Sequence, residues 1–258
     1  MSLKSLAAVL GAVAVAATGV LAPVQASADD GVPPDPWTRV AVGMYHTVAI
    51  DPDGQVWAWG YNGYGQLGDG SQTQSTDPVR VEGVGNAVAV AAYDQFSVAV
   101  TGSGQVWAWG LNHQGQVGPV TDDATPLIEE RPVLVSGVPE SVAVATGYGF
   151  VVALTRTGDL WTWGGSDKSQ IGPAPNGGSR VPVQLPFAAQ AKSVAVGDQG
   201  TMVLDADGTA WKWQRGTSQV AGAFEPIESL PEIAQIAMGA GYGLLVSTGG
   251  TVFAFGDN

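Results

Sequence analysis

The sequence contains no cysteine, and positive charge and histidine are scarce. The absence of cysteine excludes disulfide scaffolds, thiol nucleophiles and thiolate metal sites. Ten Lys and Arg residues face 23 Asp and Glu residues, which gives a formal net charge of −13. This excess of negative charge opposes a surface that follows nucleic-acid phosphates, so we predict no nucleic-acid partner. What the chain does have is glycine, with 37 residues, and a 45% hydrophobic share, which favour short strands, tight turns and a sizeable core.

The first 28 residues have the organisation of a secretory signal peptide. Lys4 supplies the basic charge, an apolar run extends from Leu6 to Leu21, and Ala26-Ser27-Ala28 forms a small-residue cleavage site. The alternative is a membrane anchor, but the run is shorter than the roughly 20 residues with which a helix spans a bilayer. We therefore predict cleavage after residue 28, a secreted protein and no stable membrane insertion. Residues 29–37 form a proline-rich segment that precedes the first repeat.

A pair of aromatic residues separated by one position recurs along the chain. The hexapeptide that contains Trp57 and Trp59 returns letter for letter with Trp107 and Trp109. The later pairs are Trp161 and Trp163, Trp211 and Trp213, and Phe253 and Phe255. The small residues between the pair members suit a second, closely packed face of each strand: Ala58, Ala108, Thr162 and Ala254. We attribute the aromatic pairs to core packing between repeated units rather than to a ligand site.

Each unit is predicted to form four antiparallel strands, with a glycine closing the turn between the second and third strands. Four-stranded units of about 50 residues that bury their faces against one another are the blades of a β-propeller. The predicted fold class is all-β, with blades at residues 38–87, 88–140, 141–192 and 193–232 and a partial blade at 233–258. These are about four and a half repeats, so we expect an incomplete ring or a fragment, with an unpaired edge on the strand at 251–256.

The first unit carries a motif that extends beyond its aromatic pair. The segment Gly43-Met44-Tyr45-His46-Thr47-Val48-Ala49 precedes Asp53–Asn62, and Gly65-Gln66-Leu67-Gly68 follows in the loop. This arrangement resembles a repeat of the regulator of chromosome condensation family, over residues 38–258. The resemblance implies a β-propeller that normally has seven blades. It is looser in the fourth unit, where Gln214 replaces the glycine after the aromatic pair and Lys212 lies between the two Trp.

The two histidines offer little for catalysis. His46 and His113 have no second histidine at ligand spacing, which argues against a histidine metal site. His46 occupies a repeat position that Phe96 and Phe150 fill in later units. This equivalence favours a packing role for His46 over the role of a catalytic base.

Two turns carry carboxylates two residues apart, Asp51 with Asp53 and Asp205 with Asp207. Such spacing suggests either a calcium loop or a hairpin turn. A calcium loop needs more oxygen ligands than either turn offers, so we favour hairpin turns. We therefore predict no metal, no cofactor and no catalytic residue.

The bends between the first and second strands carry aromatic and acidic side chains. Repeat equivalence places these bends on one face of a propeller, and tyrosine offers a large contact area at low entropic cost. The predicted protein-binding residues are Tyr45, Tyr93, Asp94, Tyr148, Asp198 and Tyr242. The alternative is that these tyrosines only cover the ends of the blades.

These observations favour an exported, non-enzymatic protein-binding module. Secreted bacterial members of the family include propeller-type β-lactamase inhibitors. The resemblance therefore implies that the chain inhibits or scaffolds an extracellular protein such as a β-lactamase. One alternative is an extracellular hydrolase or lyase that acts on polysaccharide with carboxylates converging from different blades. Another is a purely structural repeat at the cell surface.

Overall fold

The computed structural model describes Trp37 and residues 39–118, 127–165, 179–197, 200–214, 222–239 and 241–256. These residues form nineteen β-strands, and they include no helix that is long and apolar enough to cross a membrane. The predicted all-β class is therefore confirmed. The predicted signal peptide, residues 29–36 and Asp198 lie outside the described residues.

The strands form consecutive antiparallel sheets, one for each aromatic pair. The first sheet contains β1 (Arg39–Val42), β2 (His46–Ile50), β3 (Val56–Gly60) and β4 (Ser75–Arg80). The second contains β5 (Ala87–Tyr93), β6 (Phe96–Thr101), β7 (Val106–Leu111) and β8 (Ile128–Leu134). The third contains β9 (Ser141–Gly147), β10 (Phe150–Thr155), β11 (Leu160–Gly164) and β12 (Val183–Gln184). The fourth contains β13 (Ala191–Gly197), β14 (Gly200–Asp205), β15 (Ala210–Gln214) and β16 (Ala223–Pro226). The fifth contains β17 (Ile233–Met238), β18 (Tyr242–Ser247) and β19 (Val252–Gly256).

Each sheet, or blade, packs its aromatic face against the small-residue face of the preceding blade. The fully buried Ala58 of the first blade shares a hydrophobic cluster with Trp107 and Trp109 of the second. Between the second and third blades, Ala108 shares a cluster with Trp163 in the same way. The Trp pairs of the second, third and fourth blades are thus core residues between blades, as predicted, whereas Trp57 and Trp59 are half-buried and Phe255 is exposed.

A long loop of one blade reaches the second tryptophan of the next blade. Trp109 Nε1 donates a hydrogen bond to the backbone carbonyl oxygen of Gln66 at 2.8 Å, and Ser97 Oγ donates to the same oxygen at 2.9 Å. One blade further along, Trp163 Nε1 donates to the carbonyl oxygen of Gln116 at 3.0 Å. Each indole therefore satisfies its polar atom in an otherwise apolar interface, which is the requirement for burying it.

A buried asparagine holds each of these loops in shape. The side-chain oxygen of Asn62 accepts a hydrogen bond from the backbone N–H of Leu67 at 2.9 Å, and that of Asn112 accepts from Val117 at 3.0 Å. Asn62 also donates from Nδ2 to the carbonyl oxygen of Ser71 at 2.9 Å. This bonding explains why the first two units keep an asparagine two residues after the glycine that follows the aromatic pair.

The fourth blade departs from the pattern where its sequence does. Lys212 is half-buried at the position where Ala58 is fully buried. The pairing of β14 with β15 ends at Met202 and Lys212, whereas the pairing of β2 with β3 continues to Gly60. Gly60 has a φ of 113°, a backbone conformation that glycine adopts without strain and that a residue with a Cβ, such as Gln214, avoids.

The fifth blade exposes the face that the other blades bury. Ala254 is exposed, and so are Leu244 and Val252 on the same face of the sheet. The expectation of a closely packed face is therefore wrong for this blade, because no further sheet covers that face within the described part of the chain. The outer edge of β19 is likewise unpaired among these residues.

A side-chain acceptor closes the turn between the second and third strands. Asp51 accepts hydrogen bonds from the backbone N–H of Gln55 at 2.9 Å and from Trp57 Nε1 at 2.8 Å, and Asp205 accepts from Trp211 Nε1 at 2.8 Å. Although burial acts to raise the pKa of Asp51, these bonds hold it below its ordinary value. The carboxylates are engaged in hairpin turns, and the described residues hold no group of three His, Cys, Asp or Glu that could bind a metal ion.

The second blade lacks the carboxylate, which leads to a prediction. Thr101 stands where the first and fourth blades have Asp51 and Asp205; its Oγ1 accepts from the Gln105 N–H at 3.2 Å, but the buried Trp107 Nε1 has no hydrogen-bond partner. Thr101→Asp should provide the acceptor and raise the free energy of unfolding by about 1 kcal/mol in denaturant melts. The control is the same substitution in a Trp107→Phe background, where there is no N–H to satisfy. An equal gain in both backgrounds would contradict this explanation.

Candidate functional site

The bend between the first and second strands lies at the same end of each blade as the loop after the third strand. In the first blade the N–H of Tyr61 donates to the carbonyl oxygen of Tyr45 at 2.8 Å, and in the second Leu111 donates to Gln95 at 2.9 Å. Gly60 makes the first contact possible, because a Cβ there would overlap the Tyr45 carbonyl oxygen. We call this end of the blades the rim surface. It comprises residues 43–45, 61–74, 94–95, 112–118, 148–149, 239 and 241.

Contacts between neighbouring blades join their bends. The N–H of Met44 in the first blade donates to the carbonyl oxygen of Asp94 in the second at 3.3 Å. Gln114 of the second blade lies against Gly149 of the third. The bends of the first three blades therefore form a continuous part of the rim surface, as repeat equivalence predicts.

The predicted binding residues differ in exposure. Tyr45, Tyr148 and Tyr242 are 60%, 49% and 52% exposed, so their rings are available to a partner. Tyr93 is half-buried and packs against the core between the second and third blades. Asp94 is half-buried, with a φ of 45°. The covering role that the sequence left open for the tyrosines therefore fits Tyr93 better than the exposed tyrosines.

The structure adds two tyrosines to the site. Tyr61 is 40% exposed and its ring centroid lies 6.3 Å from that of Tyr45, with an angle of 80° between the planes. Tyr64 lies 6.3 Å from Tyr61 at 65°. We call Tyr45, Tyr61 and Tyr64 the tyrosine cluster. A signal for it was present in the sequence, because the end of a third strand always lies beside the start of the second.

The charge of this region is negative and incompletely compensated. Burial raises the pKa of the Asp94 carboxyl, and the nearby His113 acts to lower it. No Lys or Arg occurs at residues 43–45, 61–74, 94–95 or 112–118. Arg131 lies against Gly70 in the first loop, but its guanidinium pairs with Glu82 at 2.7 Å.

His46 lies beneath the rim surface, between the first two blades. It is 3% exposed, and its Nε2 is 2.8 Å from Ser97 Oγ. Because the hydroxyl proton of Ser97 is directed to Gln66, we infer that His46 donates from Nε2. Its Nδ1 is buried without a hydrogen-bond partner, and burial lowers the pKa of the imidazole to about 4. A neutral histidine buried in this way has the packing role that the sequence favoured.

Comparison with known proteins identifies the repeat. The family described as "Regulator of chromosome condensation (RCC1) repeat" matches residues 53–100, 103–154 and 157–204. A second description of the same repeat matches residues 37–66, 87–116 and 142–170. The matches cover the first three Trp pairs, as the motif in the first unit indicated, and do not include Trp211 and Trp213 of the fourth unit.

The chain is similar to several proteins of known name or structure. It is 28% identical to the mitochondrial RCC1 domain-containing protein RUG3 of Arabidopsis thaliana, over 84% of this chain and 53% of that protein. It is 28% identical to the ultraviolet-B receptor UVR8 of Arabidopsis thaliana, over 75% of this chain and 45% of that protein. The crystal structure of human WBSCR16 matches with a TM-score of 0.72 and 24% identity, over 85% of this chain and 61% of that chain.

These matches bear on fold and on length. The likeness to solved structures confirms the β-propeller architecture, with somewhat more than four blades present. The chain spans about half the length of the curated relatives RUG3 and UVR8, 53% and 45% respectively.

Proposed function

The chain belongs to the regulator of chromosome condensation (RCC1) repeat family, and we propose that it is an exported, non-enzymatic module that binds a protein through the rim surface. One observation carries the proposal: exposed tyrosines recur at equivalent bends of different blades, with Tyr45 at 60% and Tyr148 at 49% exposure. Exposed aromatic side chains gathered on one surface mark sites of protein interaction, and they dominate the energetics of protein interfaces.

Export is the second part of the proposal. It is supported by the basic residue, apolar run and small-residue site within residues 1–28, which predict a mature chain that begins near Asp29. An extracellular protein such as a β-lactamase is then the first partner to test.

The polysaccharide-active alternative is less well supported. A glycosidase needs a pair of carboxylates facing one cleft at a separation of about 5–10 Å. The carboxylates of Asp51 and Asp205 are each engaged within their own turns, at the end of the blades opposite the rim surface. This engagement favours the binding module.

The proposal predicts a loss of affinity without a loss of stability. A partner is first captured from culture supernatant with the mature domain, beginning with purified β-lactamases. Tyr148→Ala should then weaken binding by about 1–3 kcal/mol and leave the melting temperature unchanged, because the ring is exposed. Titration calorimetry and thermal melts measure the two quantities.

The matched control is Thr157→Ser, which trims an exposed side chain at the opposite end of the same blade and keeps the hydroxyl that donates to Asp159. It should change neither quantity. If Tyr148→Ala and Tyr45→Ala both leave the affinity of a captured partner unchanged, the rim surface is not the binding site.

A further inference from the structure

We propose that the tyrosine cluster and Asp94 form a subsite for an arginine or lysine side chain of a polypeptide partner. This inference rests on the proposed function and names the chemistry that the first two blades would recognise. Three features support it: the arrangement of the rings, the environment of the carboxylate and the distribution of cations.

The rings are arranged at steep angles rather than stacked. Tyr45 and Tyr61 meet at 80°, and Tyr61 and Tyr64 meet at 65°, each pair with centroids 6.3 Å apart. In such edge-to-face pairs, part of the electron-rich face of a ring stays free. With Tyr45 60% and Tyr61 40% exposed, that surface is open to solvent. A guanidinium or ammonium group binds an aromatic ring when it lies within about 6 Å of the centroid.

Asp94 supplies a carboxylate in the bend of the second blade, next to the bend that carries Tyr45. The bend of the first blade, which carries Met44 and Tyr45, is hydrogen-bonded to the Asp94 carbonyl oxygen at 3.3 Å. The Asp94 carboxylate is half-buried, and burial raises its pKa. It has already lost part of its hydration in the free protein, so pairing with a cation costs less further desolvation than at a fully hydrated carboxylate.

Most cations of the first three blades lie away from the tyrosine cluster. Arg131 and Arg180 lie against Gly70 and Gly115 of the rim surface, and Arg131 is paired with Glu82 at 2.7 Å. Arg39, Arg80 and Arg156 are at the ends of the strands opposite the rim surface, as the strand pairing shows for Arg39 and Arg80. Together with the formal net charge of −13, this distribution favours the approach of a basic partner and disfavours an acidic one.

The test uses the mature protein and three synthetic nine-residue peptides, Gly-Ser-Leu-X-Leu-X-Leu-Ser-Gly, in which X is Arg, Gln or Glu. Binding is measured by titration calorimetry and by chemical-shift changes in NMR. The Arg peptide should bind at least about tenfold more tightly than the Gln peptide, and raising the salt concentration should weaken it. Equal affinity for the Arg and Gln peptides would overturn the proposal.

Variants locate the subsite. Asp94→Asn removes the charge and retains the backbone, because Asn adopts the positive φ of 45° readily, and it should weaken the Arg peptide about tenfold. Tyr45→Ala and Tyr61→Ala should each weaken it about threefold. Tyr242→Ala is the matched control, since it removes an exposed ring from the equivalent bend of the fifth blade, and it should have no effect. Loss of affinity in the control alone, or in no variant, would also overturn the proposal.

Failure here is distinguishable from failure of the proposed function. A captured partner that depends on Tyr148 but not on Asp94 would leave the rim surface as a binding site and remove the basic-side-chain subsite. A partner that depends on neither would remove both.

Discussion

Trp109→Ala should lower the free energy of unfolding by about 3–5 kcal/mol, as large aromatic truncations in cores do. Trp109 is fully buried between the first and second blades, and its Nε1 donates to the Gln66 carbonyl oxygen at 2.8 Å. The alanine variant therefore leaves a cavity against Ala58 and weakens the attachment of the loop that carries Gln66. Denaturant melts that follow intrinsic fluorescence and circular dichroism measure the loss.

Two variants separate packing from hydrogen bonding. Trp109→Phe keeps most of the apolar area but removes the indole donor. The loss of stability should therefore exceed the loss expected from the smaller buried area by about 1–2 kcal/mol, although Ser97 still donates to the Gln66 carbonyl oxygen. Trp59→Ala is the positional control in the first blade. Trp59 is only half-buried and packs against Trp37 at a centroid distance of 5.5 Å, so its truncation should cost less. A loss below about 1 kcal/mol for Trp109→Ala would contradict its role in the core.

The strands could be predicted well from the sequence because the same strand pattern recurs in each repeated unit. Alternation alone defines a strand such as β3 weakly, but the identical hexapeptide in β7 shows that Trp57 and Trp107 occupy equivalent positions in their strands. The turn glycines behave as expected: Gly54, Gly104, Gly158, Gly208 and Gly250 have φ values between 75° and 85°. A requirement for positive φ is visible in a sequence because one residue type meets it best.

The hydrogen bonds between blades were harder to predict, because their acceptors are backbone carbonyl oxygens. Trp109 and Trp163 are visible as tryptophans, but the carbonyl groups of Gln66 and Gln116 that accept from them carry no side-chain signature. The recurrence of the loop sequence in the first two units indicated a structural role for the loop. It did not reveal which atom of the loop accepts the hydrogen bond. Ala254 shows a second limit of prediction from sequence. A small residue is compatible with a closely packed face, but its presence does not show that a neighbouring sheet covers that face.

The placement of the proposed binding residues followed in part from the sequence. Repeat equivalence assigned Tyr45 and Tyr148 to bends at the same end of their blades, and both rings are exposed; their role in binding stays a prediction. Tyr93 is half-buried because it is the last residue of β5 and packs against the core between the second and third blades. Tyr61 and Tyr64 were missed because they lie in the loop after the third strand, and only the pairing register brings that loop beside Tyr45.

Acidification should destabilise the protein through His46. Its pKa is lowered from 6.5 to about 4 by burial, whereas the unfolded chain titrates near 6.5. The unfolded state therefore binds a proton at a pH where the folded state does not. The contribution of His46 to stability is complete above about pH 6.5 and declines as the pH falls toward 4. A difference of this size corresponds to about 3 kcal/mol.

The structural cause lies in the ring nitrogens. Nε2 already has Ser97 as its partner, so a second proton would go to Nδ1, which is buried without an acceptor and faces Gly43. Since His46 and Ser97 belong to different blades, protonation should loosen the contact between the first and second blades before the rest of the molecule. Hydrogen exchange of the β2 and β6 amides near pH 5 should therefore be faster than at pH 7, relative to those of β10.

His46→Phe isolates this contribution from the titration of the carboxylates. Asp51, whose pKa is lowered, also loses stabilising interactions in acid, whereas Asp94 and Glu129, whose pKa values burial raises, act in the opposite direction. All of them remain in the variant. Phenylalanine fits the position, because Phe150 occupies the equivalent place in the third blade, 1% exposed.

The difference between wild type and His46→Phe is therefore the quantity to measure, by urea melts at intervals from pH 7.5 to pH 4. On acidification, the free energy of unfolding should fall less in His46→Phe than in the wild type. The difference between the two pH curves should widen by about 3 kcal/mol across that interval. The gap should open below pH 6.5, where the unfolded histidine begins to bind its proton. Curves that stay parallel would show that the His46 imidazole accepts a proton in the folded state as readily as in the unfolded chain.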